Sequence, residues 1–253
     1  MIELPAARLI RKLENFAELS DDDKDALHNA VTGIRAYGTH EVMVCGTDPL
    51  PVVDIILSGF ACRFKTLADG RRQIVAYFIP GDLCDIRLFL LRRMDHTIAT
   101  LAPTKVAHVP AGTLLALMDR SARLNRALWW STLVDEAVSR EWLVNVGQRT
   151  ALERMAHLFC EMYARFKAIG LVAGTRFELP LTQSELADTL ALSTVHINRT
   201  LQELRRQQLL SMNGKVLEIH DLAALQAVAV FDPAYLHVDA QRRYVPGDSR
   251  VKF

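Results

Sequence analysis

Apolar positions recur along the chain with two different periods, and the change from one to the other divides it. In "PAARLIRKLENF" and "SDDDKDALHNAV" they fall at helical spacing. Ser20 ahead of Asp21, Asp22 and Asp23 makes a good amino-terminal cap, so residues 5 to 36 are expected to be helical. From about Tyr37 the segments become short and β-rich: "HEVMVCG", "PVVDIILSGFACRFKTL", "RRQIVAYFIPGD" and "HTIATLAPTKVAHVP". Gly46, "TDPLP", "ADGRR", "PGD" and "APT" punctuate them. Many short strands at regular spacing predict a small antiparallel β-roll or barrel.

After Pro110 the helical period returns. Residues 113 to 146 read as one long helix, in which Trp130, Val134, Val138, Trp142 and Val146 form an i, i+4 ridge widened by Ala127, Ala137 and Val144. An apolar face this broad needs more than one partner surface. One side is expected to cover the β-segments; the other, carrying Trp130, Val134, Ala137, Val138 and Trp142, is expected to meet a second copy of the chain. Gly147 is read as the end of that helix and the place of the domain boundary, with a further helix ending at Gly170. The expected division is residues 1–112, 113–147 and 148–236, each folded unit with its own core, and a loose polar tail over 237–253.

Within the last folded unit, "TQSELADTLALSTVHINRTLQELRRQQLL" holds two helical patterns separated by "ALS". Thr182 and Glu185 have the spacing of a capping box, and Leu186, Ala187 and Leu190 give the first helix its buried face. In the second, Ile197, Leu201 and Leu204 turn inward, which leaves Thr194, Val195, Asn198 and Arg199 on one outward face. Asn and Arg have the forked geometry that fits adenine and guanine edges in the major groove. "LLSMNGKVLEIH" then reads as strand, Asn-Gly turn and strand, a wing with Lys215 at its tip to meet phosphate. The whole predicts a winged helix-turn-helix.

Charge qualifies this reading. The net charge is +1, and over residues 176–253 nine Lys or Arg face nine Asp or Glu, so no basic block marks a nucleic-acid binder. Arg199, Arg205 and Arg206 nonetheless share one short helix. Even charge predicts modest non-specific affinity and a shallow salt dependence. Cys45, Cys62, Cys84 and Cys160 lie far apart, without metal or dithiol spacing, and are expected to be reduced and mostly buried. The amino terminus lacks the pattern of a secretory signal, and the longest uncharged run, around "VAHVPAGTLLALM", is too short for a membrane span.

"LPLTQSELADTLALSTVHINRTLQELRRQQLL" followed by "NGK", together with the β-segments carrying "PGDL" and the long helix, resembles the Crp/Fnr family of bacterial transcription regulators over nearly the whole chain. The resemblance implies an α+β fold: an antiparallel β-roll of the cyclic-nucleotide-binding kind, a dimerisation helix and a winged helix-turn-helix. It implies a cytoplasmic homodimer that binds double-stranded DNA at a palindromic site, contacts RNA polymerase and most often activates transcription. Carried over by position, Thr194, Val195, Asn198 and Arg199 face bases, with His196 at the groove edge, and Thr182, Gln183, Ser193 and Lys215 hold phosphates. Val195 departs from the pattern, because many members hold Glu there. The effector pocket is expected to be degenerate: Gly81, Asp82 and Leu83 are present, but the later phosphate-binding Arg falls at Met94, Asp95 and His96, where Asp95 repels a phosphate. Arg92 and Arg93 are near but displaced. Cyclic AMP is therefore not the expected effector. Clustered amino-terminal cysteines for an iron–sulfur centre are missing, no haem-ligand motif occurs, and no cofactor or metal is expected. The alternatives are a β-roll metal-dependent enzyme of the cupin type, against which stands the lack of a His-x-His pair, and a ligand-binding module that does not touch DNA.

Overall fold

The computed structural model describes residues 4–44, 52–84 and 94–238. The first helical stretch divides into α1 (Ala7–Leu13) and α2 (Asp21–Asn29), and the Ser20 hydroxyl accepts from the Asp23 backbone N–H at 3.2 Å as a cap. The helical period does not persist to residue 36. Gly33–Tyr37 is instead strand β1, paired with β8 (Thr104–Pro110) from Gly33 opposite His108 to Tyr37 opposite Thr104. A short segment that can join a sheet edge satisfies its backbone there, which overrides a weak helical preference.

The remaining strands of the first unit are β2 (Val42–Val44), β3 (Val52–Ser58), β4 (Ala61–Thr66), β5 (Arg72–Phe78), β6 (Leu83–Cys84) and β7 (Thr97–Thr100). They form two four-stranded sheets, ordered β1-β8-β3-β6 and β2-β7-β4-β5, with every pairing antiparallel. Tyr37, Ile56, Phe78, Ile98 and Val106 fill the space between the sheets. This is the expected roll. Cys62, Cys84 and Cys160 are buried, and burial pushes the thiols of Cys62 and Cys160 up to about 12. Cys45 lies outside the described residues.

The single long helix is not observed. The chain makes α3 (Ala111–Arg120) and α4 (Ala122–Gln148), broken at Ser121, whose extended backbone (φ −122°, ψ 104°) lets its hydroxyl accept from Leu124 N–H at 3.2 Å. Serine competes with helix by bonding its own backbone, and here it caps the second helix rather than continuing the first. Gly147 does not end α4. The break falls at Arg149, and Thr150 and Glu153 form a capping box that starts α5 (Ala151–Ala168).

Beyond α5 come β9 (Arg176–Glu178), α6 (Gln183–Leu190), α7 (Thr194–Arg206), β10 (Leu210–Asn213), β11 (Val216–Ile219) and α8 (Leu222–Ala229). The wing is a three-stranded sheet, β10-β11-β9, one strand more than the sequence pattern predicts. Its loop consists of Gly214 and Lys215, between the paired Asn213 and Val216. A 3-10 turn, Pro233–Leu236, then returns to α4 and α5.

The first unit keeps apolar clusters of its own, and a further cluster crosses between the units. One apolar cluster runs from Phe60 and Tyr77 of the roll through Trp142 to Phe159, Phe166 and Phe177, with the Tyr77 and Trp142 rings 5.5 Å apart. The same cluster explains which way α4 faces. Val134, Ala137 and Trp142, expected to meet a second copy, are buried within this chain. Val138 packs on the same core, and Trp130 stacks on Phe16 at 5.9 Å. The outward stripe is Trp129, Leu133, Glu136, Arg140 and Leu143, in which Trp129 is 52% exposed, Leu133 55% and Leu143 75%. These positions advance by four, three, four and three residues, the spacing of a coiled-coil seam.

His157 on α5 is enclosed between the rings of Phe231 and Tyr235. Its Nε2 lies 3.3 Å from Glu141, but that carboxylate already pairs with Arg149 at 2.7 Å. Burial, with Arg149 adding to it, pushes the imidazole down to about 3. The unfolded chain therefore takes up a proton that the folded chain refuses, and this contribution to stability is complete above pH 6.5 and lost as pH falls from there toward 3. We expect His157→Leu to flatten the fall in unfolding free energy between pH 6 and 4, which for the native residue approaches about 1.4 kcal/mol per pH unit. Urea titrations of both proteins across that range provide the check, and parallel curves would contradict it.

Candidate nucleic-acid interface

Helix α6 is fixed at its start by reciprocal bonds: Thr182 N–H donates to Glu185 at 2.6 Å, and Glu185 N–H donates to the Thr182 hydroxyl at 3.2 Å. Ala191, in the left-handed region (φ 52°), ends the helix and turns the chain. The Ser193 hydroxyl then accepts from His196 N–H at 3.2 Å and opens α7. Ile197, Leu201 and Leu204 are buried against α5, α6 and the wing, as their spacing predicts. That packing leaves Thr194, Val195, His196, Asn198 and Arg199 exposed at the open end of α7. The predicted reading residues thus share a free surface.

Thr182, Gln183 and Ser193 are exposed at the two helix starts beside it. The hydroxyls of Thr182 and Ser193 accept a backbone bond each, so each keeps its own hydrogen to donate outward. Lys215 is also exposed, but its side chain borders a groove between wing and roll that Arg8 and Glu178 share.

The flank of α6 away from α7 is gripped by the roll. Arg72 pairs with Asp188 at 2.7 Å, His40 Nε2 lies 3.0 Å from Glu185, Gln73 donates to the Thr189 carbonyl at 3.1 Å, and Tyr77 bonds the Thr189 hydroxyl. Deeper in, Arg165 of α5 joins the two halves: it donates to Asp82 at 3.0 Å, to the Tyr77 carbonyl at 2.8 Å and to Glu161 at 3.3 Å. Glu161 also accepts from Trp142 Nε1 at 2.9 Å and Tyr235 at 2.8 Å. Neither Arg165 nor the gripping residues of the roll stand out in the sequence: Arg165 is a lone charge between Ala164 and Phe166, and Arg72, Gln73 and His40 lie in ordinary polar stretches.

The residues of the expected effector pocket have other duties. Gly81 (φ +92°) lies so close to α1 that a Cβ would come within 3.0 Å of the Arg8 backbone. Asp82 is buried between Lys12 and Arg165; burial opposes its ionisation, but the two cations outweigh burial and hold the carboxyl below its usual range. Leu83 is buried in the core beneath the amino-terminal helices. Asp95 is exposed and bonded to Lys65 and His96, each at 2.8 Å, which holds its carboxyl well below the carboxylate range. Asp82 and Asp95 are thus each bonded to side chains of the chain itself. Arg92 and Arg93 lie outside the described residues. Among the described residues no group of three or more His, Cys, Asp or Glu is placed to hold a metal, and no helix is long and apolar enough to cross a membrane.

Residues 34–121 match the family model described as a cyclic nucleotide-binding domain, and residues 153–228 match the Crp-like helix-turn-helix domain. The chain is 27% identical over 202 residues to the transcriptional activator protein FnrL of Cereibacter sphaeroides, covering 77% of this chain and 79% of that one. It is 26% identical over 199 residues to the nitrogen fixation regulation protein FixK of Azorhizobium caulinodans, covering 78% and 79%. Among solved structures it resembles FixK2 from Bradyrhizobium japonicum, with a TM-score of 0.72 at 23% identity, covering 79% of this chain and 98% of that one. A roll of this kind, joined through a long helix to a Crp-like helix-turn-helix, defines a DNA-binding transcription regulator. The chain belongs to the Crp/Fnr family.

Proposed function

We propose that the chain acts as a cytoplasmic homodimer which reads a palindromic operator with α7 and activates transcription through RNA polymerase. The observation that carries this reading is the joint exposure of Thr194, Val195, His196, Asn198 and Arg199 at the capped start of α7, while the inward side of the same helix is buried. In this reading Asn198 and Arg199 take base edges, and Thr182, Gln183, Ser193 and Lys215 take phosphates. Activation is supported by relatives named as transcriptional activators, FnrL among them. Two α4 helices pair along Trp129, Leu133 and Leu143, with Glu136 and Arg140 between them, and set the recognition helices about 34 Å apart. In this reading the unit boundaries fall at the helix breaks at Ser121 and Arg149.

Selection of bound duplexes from a random pool tests the whole reading, and a single unpaired half-site or no enrichment would contradict it. On the selected site, Arg199→Ala should lose about 1–3 kcal/mol of discrimination at one symmetric base pair. Lys215→Ala should weaken all sequences alike and lower the salt slope by about 0.9 for each phosphate it ceases to neutralise. Unchanged base preference in the Arg199 variant would remove it from the reading set.

Leu133→Glu with Leu143→Glu should convert the dimer to a monomer at micromolar concentration by sedimentation. Val138, which packs inward, belongs to the fold of one chain, so Val138→Ala should leave the dimer intact. The reverse pattern would restore the inward face as the seam.

The commitments of Asp82 and Asp95 to cations of the chain itself support an effector other than cyclic AMP. Calorimetric titration with cyclic AMP should give no binding heat, and a micromolar dissociation constant would overturn this.

A further inference from the structure

On the outward face of α7 every exposed side chain except one is polar or charged: Thr194, His196, Asn198, Arg199 and Gln202 surround Val195. Val195 is 61% exposed and belongs to none of the three buried clusters found among the described residues. It lies on α7, remote in sequence and element from the α4 stripe that a second copy covers. Folding gives no reason for it there. A β-branched residue is a slightly poor helix former, and an isopropyl group in water gains nothing by its position. A hydroxyl or a carboxylate at the same place would satisfy the helix as well.

The major groove presents one apolar group, the C5 methyl of thymine; every other readable position is a hydrogen-bond donor or acceptor. Valine has neither donor nor acceptor, so against cytosine it leaves the N4 amino group desolvated and unanswered, whereas against thymine it covers a methyl. Asn198 stands one helical turn along on the same face, with Cβ atoms about 5–6 Å apart at such spacing, and its amide suits the edge of adenine. We infer that Val195 is a specificity-determining residue that selects thymine by its methyl group, so that each half-site holds a thymine recognised by contact with Val195 alone. The inference rests on α7 being the DNA-reading helix and adds which base one of its residues reads.

The test uses the full-length protein and the duplex it selects from a random pool. Thymines of that duplex are replaced by deoxyuridine, one symmetric pair at a time, which removes the methyl and nothing else. For the native protein one such pair should weaken binding about fourfold for each half-site, the worth of one buried methyl-sized group, and about fifteenfold for both. Val195→Ala should bind the thymine duplex more weakly and lose most of its sensitivity to deoxyuridine at that pair, while keeping its sensitivity elsewhere. 5-Methylcytosine in place of cytosine at that pair should recover part of the binding of a cytosine-substituted duplex for the native protein only. A selected duplex in which no methyl matters, or one whose methyl matters equally to the native protein and to Val195→Ala, overturns the inference and leaves DNA reading intact. Failure to select any duplex overturns the DNA-reading function and the inference with it.

Discussion

The guanidinium of Arg165 is the point on which the arrangement of the two halves depends. It is largely withdrawn from water, and its donors go to the Asp82 carboxylate and the Tyr77 carbonyl of the roll and to Glu161 of its own helix. A buried cation with three well-placed acceptors is tolerated; the same cation with one acceptor withdrawn is costly, because desolvation is then uncompensated. The roll therefore cannot slide away from α5 without leaving a bare charge behind. The neighbouring contacts from Arg72, Gln73, Tyr77 and His40 to α6 extend this constraint to the helix that precedes the reading helix. Orientation, more than adhesion, is what such polar contacts supply: the continuous apolar cluster from Phe60 to Phe177 provides the burial, and the charges choose among ways of making it.

Most of the architecture was legible in the sequence where a local signal sufficed. Ser20 and Thr182 with Glu185 are caps that work within four residues, and each stands where its spacing predicts; Ser193 caps α7 in the same local way. The inward and outward faces of α7 follow from helical spacing alone. Much of what failed depended on partners distant in sequence; the helix break at Arg149 did not, since the Thr150 and Glu153 capping box is itself a local signal. The ridge of Trp130, Val134, Val138 and Trp142 was correctly apolar, but periodicity gives the existence of a buried face and not the identity of what buries it. Here the covering surface is the chain itself, through Phe16, Tyr77 and α5, so the stripe left for a second copy is the sparser one of Trp129, Leu133 and Leu143. Ser121 failed for a related reason. A serine inside an apolar helical pattern is locally compatible with continuation, and whether it continues one helix or caps the next is not fixed by its spacing; here it caps α4, with Leu114 and Leu117 of α3 packed in the same cluster as Leu124 and Leu128.

The glycine-aspartate turn shows how a motif can persist while its surroundings change. Gly81 and Asp82 stand where the resemblance expected part of an effector pocket, yet Gly81 admits the close passage of α1 and Asp82 answers Lys12 and Arg165. The aspartate faces cations of this protein on two sides, one from the amino-terminal helix and one from the reading half. A turn that the resemblance places in a degenerate effector pocket here ties together three parts of the chain.

The phenol of Tyr235 adds a temporal aspect to this joint. Glu161 takes its hydrogen bond from a residue 74 positions further along, and Leu236 beside it is buried against the same helices. During synthesis the roll, α4 and α5 all leave the ribosome before the donor that completes the carboxylate's shell exists. The connection between the two halves is thus finished only when residue 235 has emerged, and a nascent chain stalled short of it carries a reading helix whose mooring is one bond incomplete.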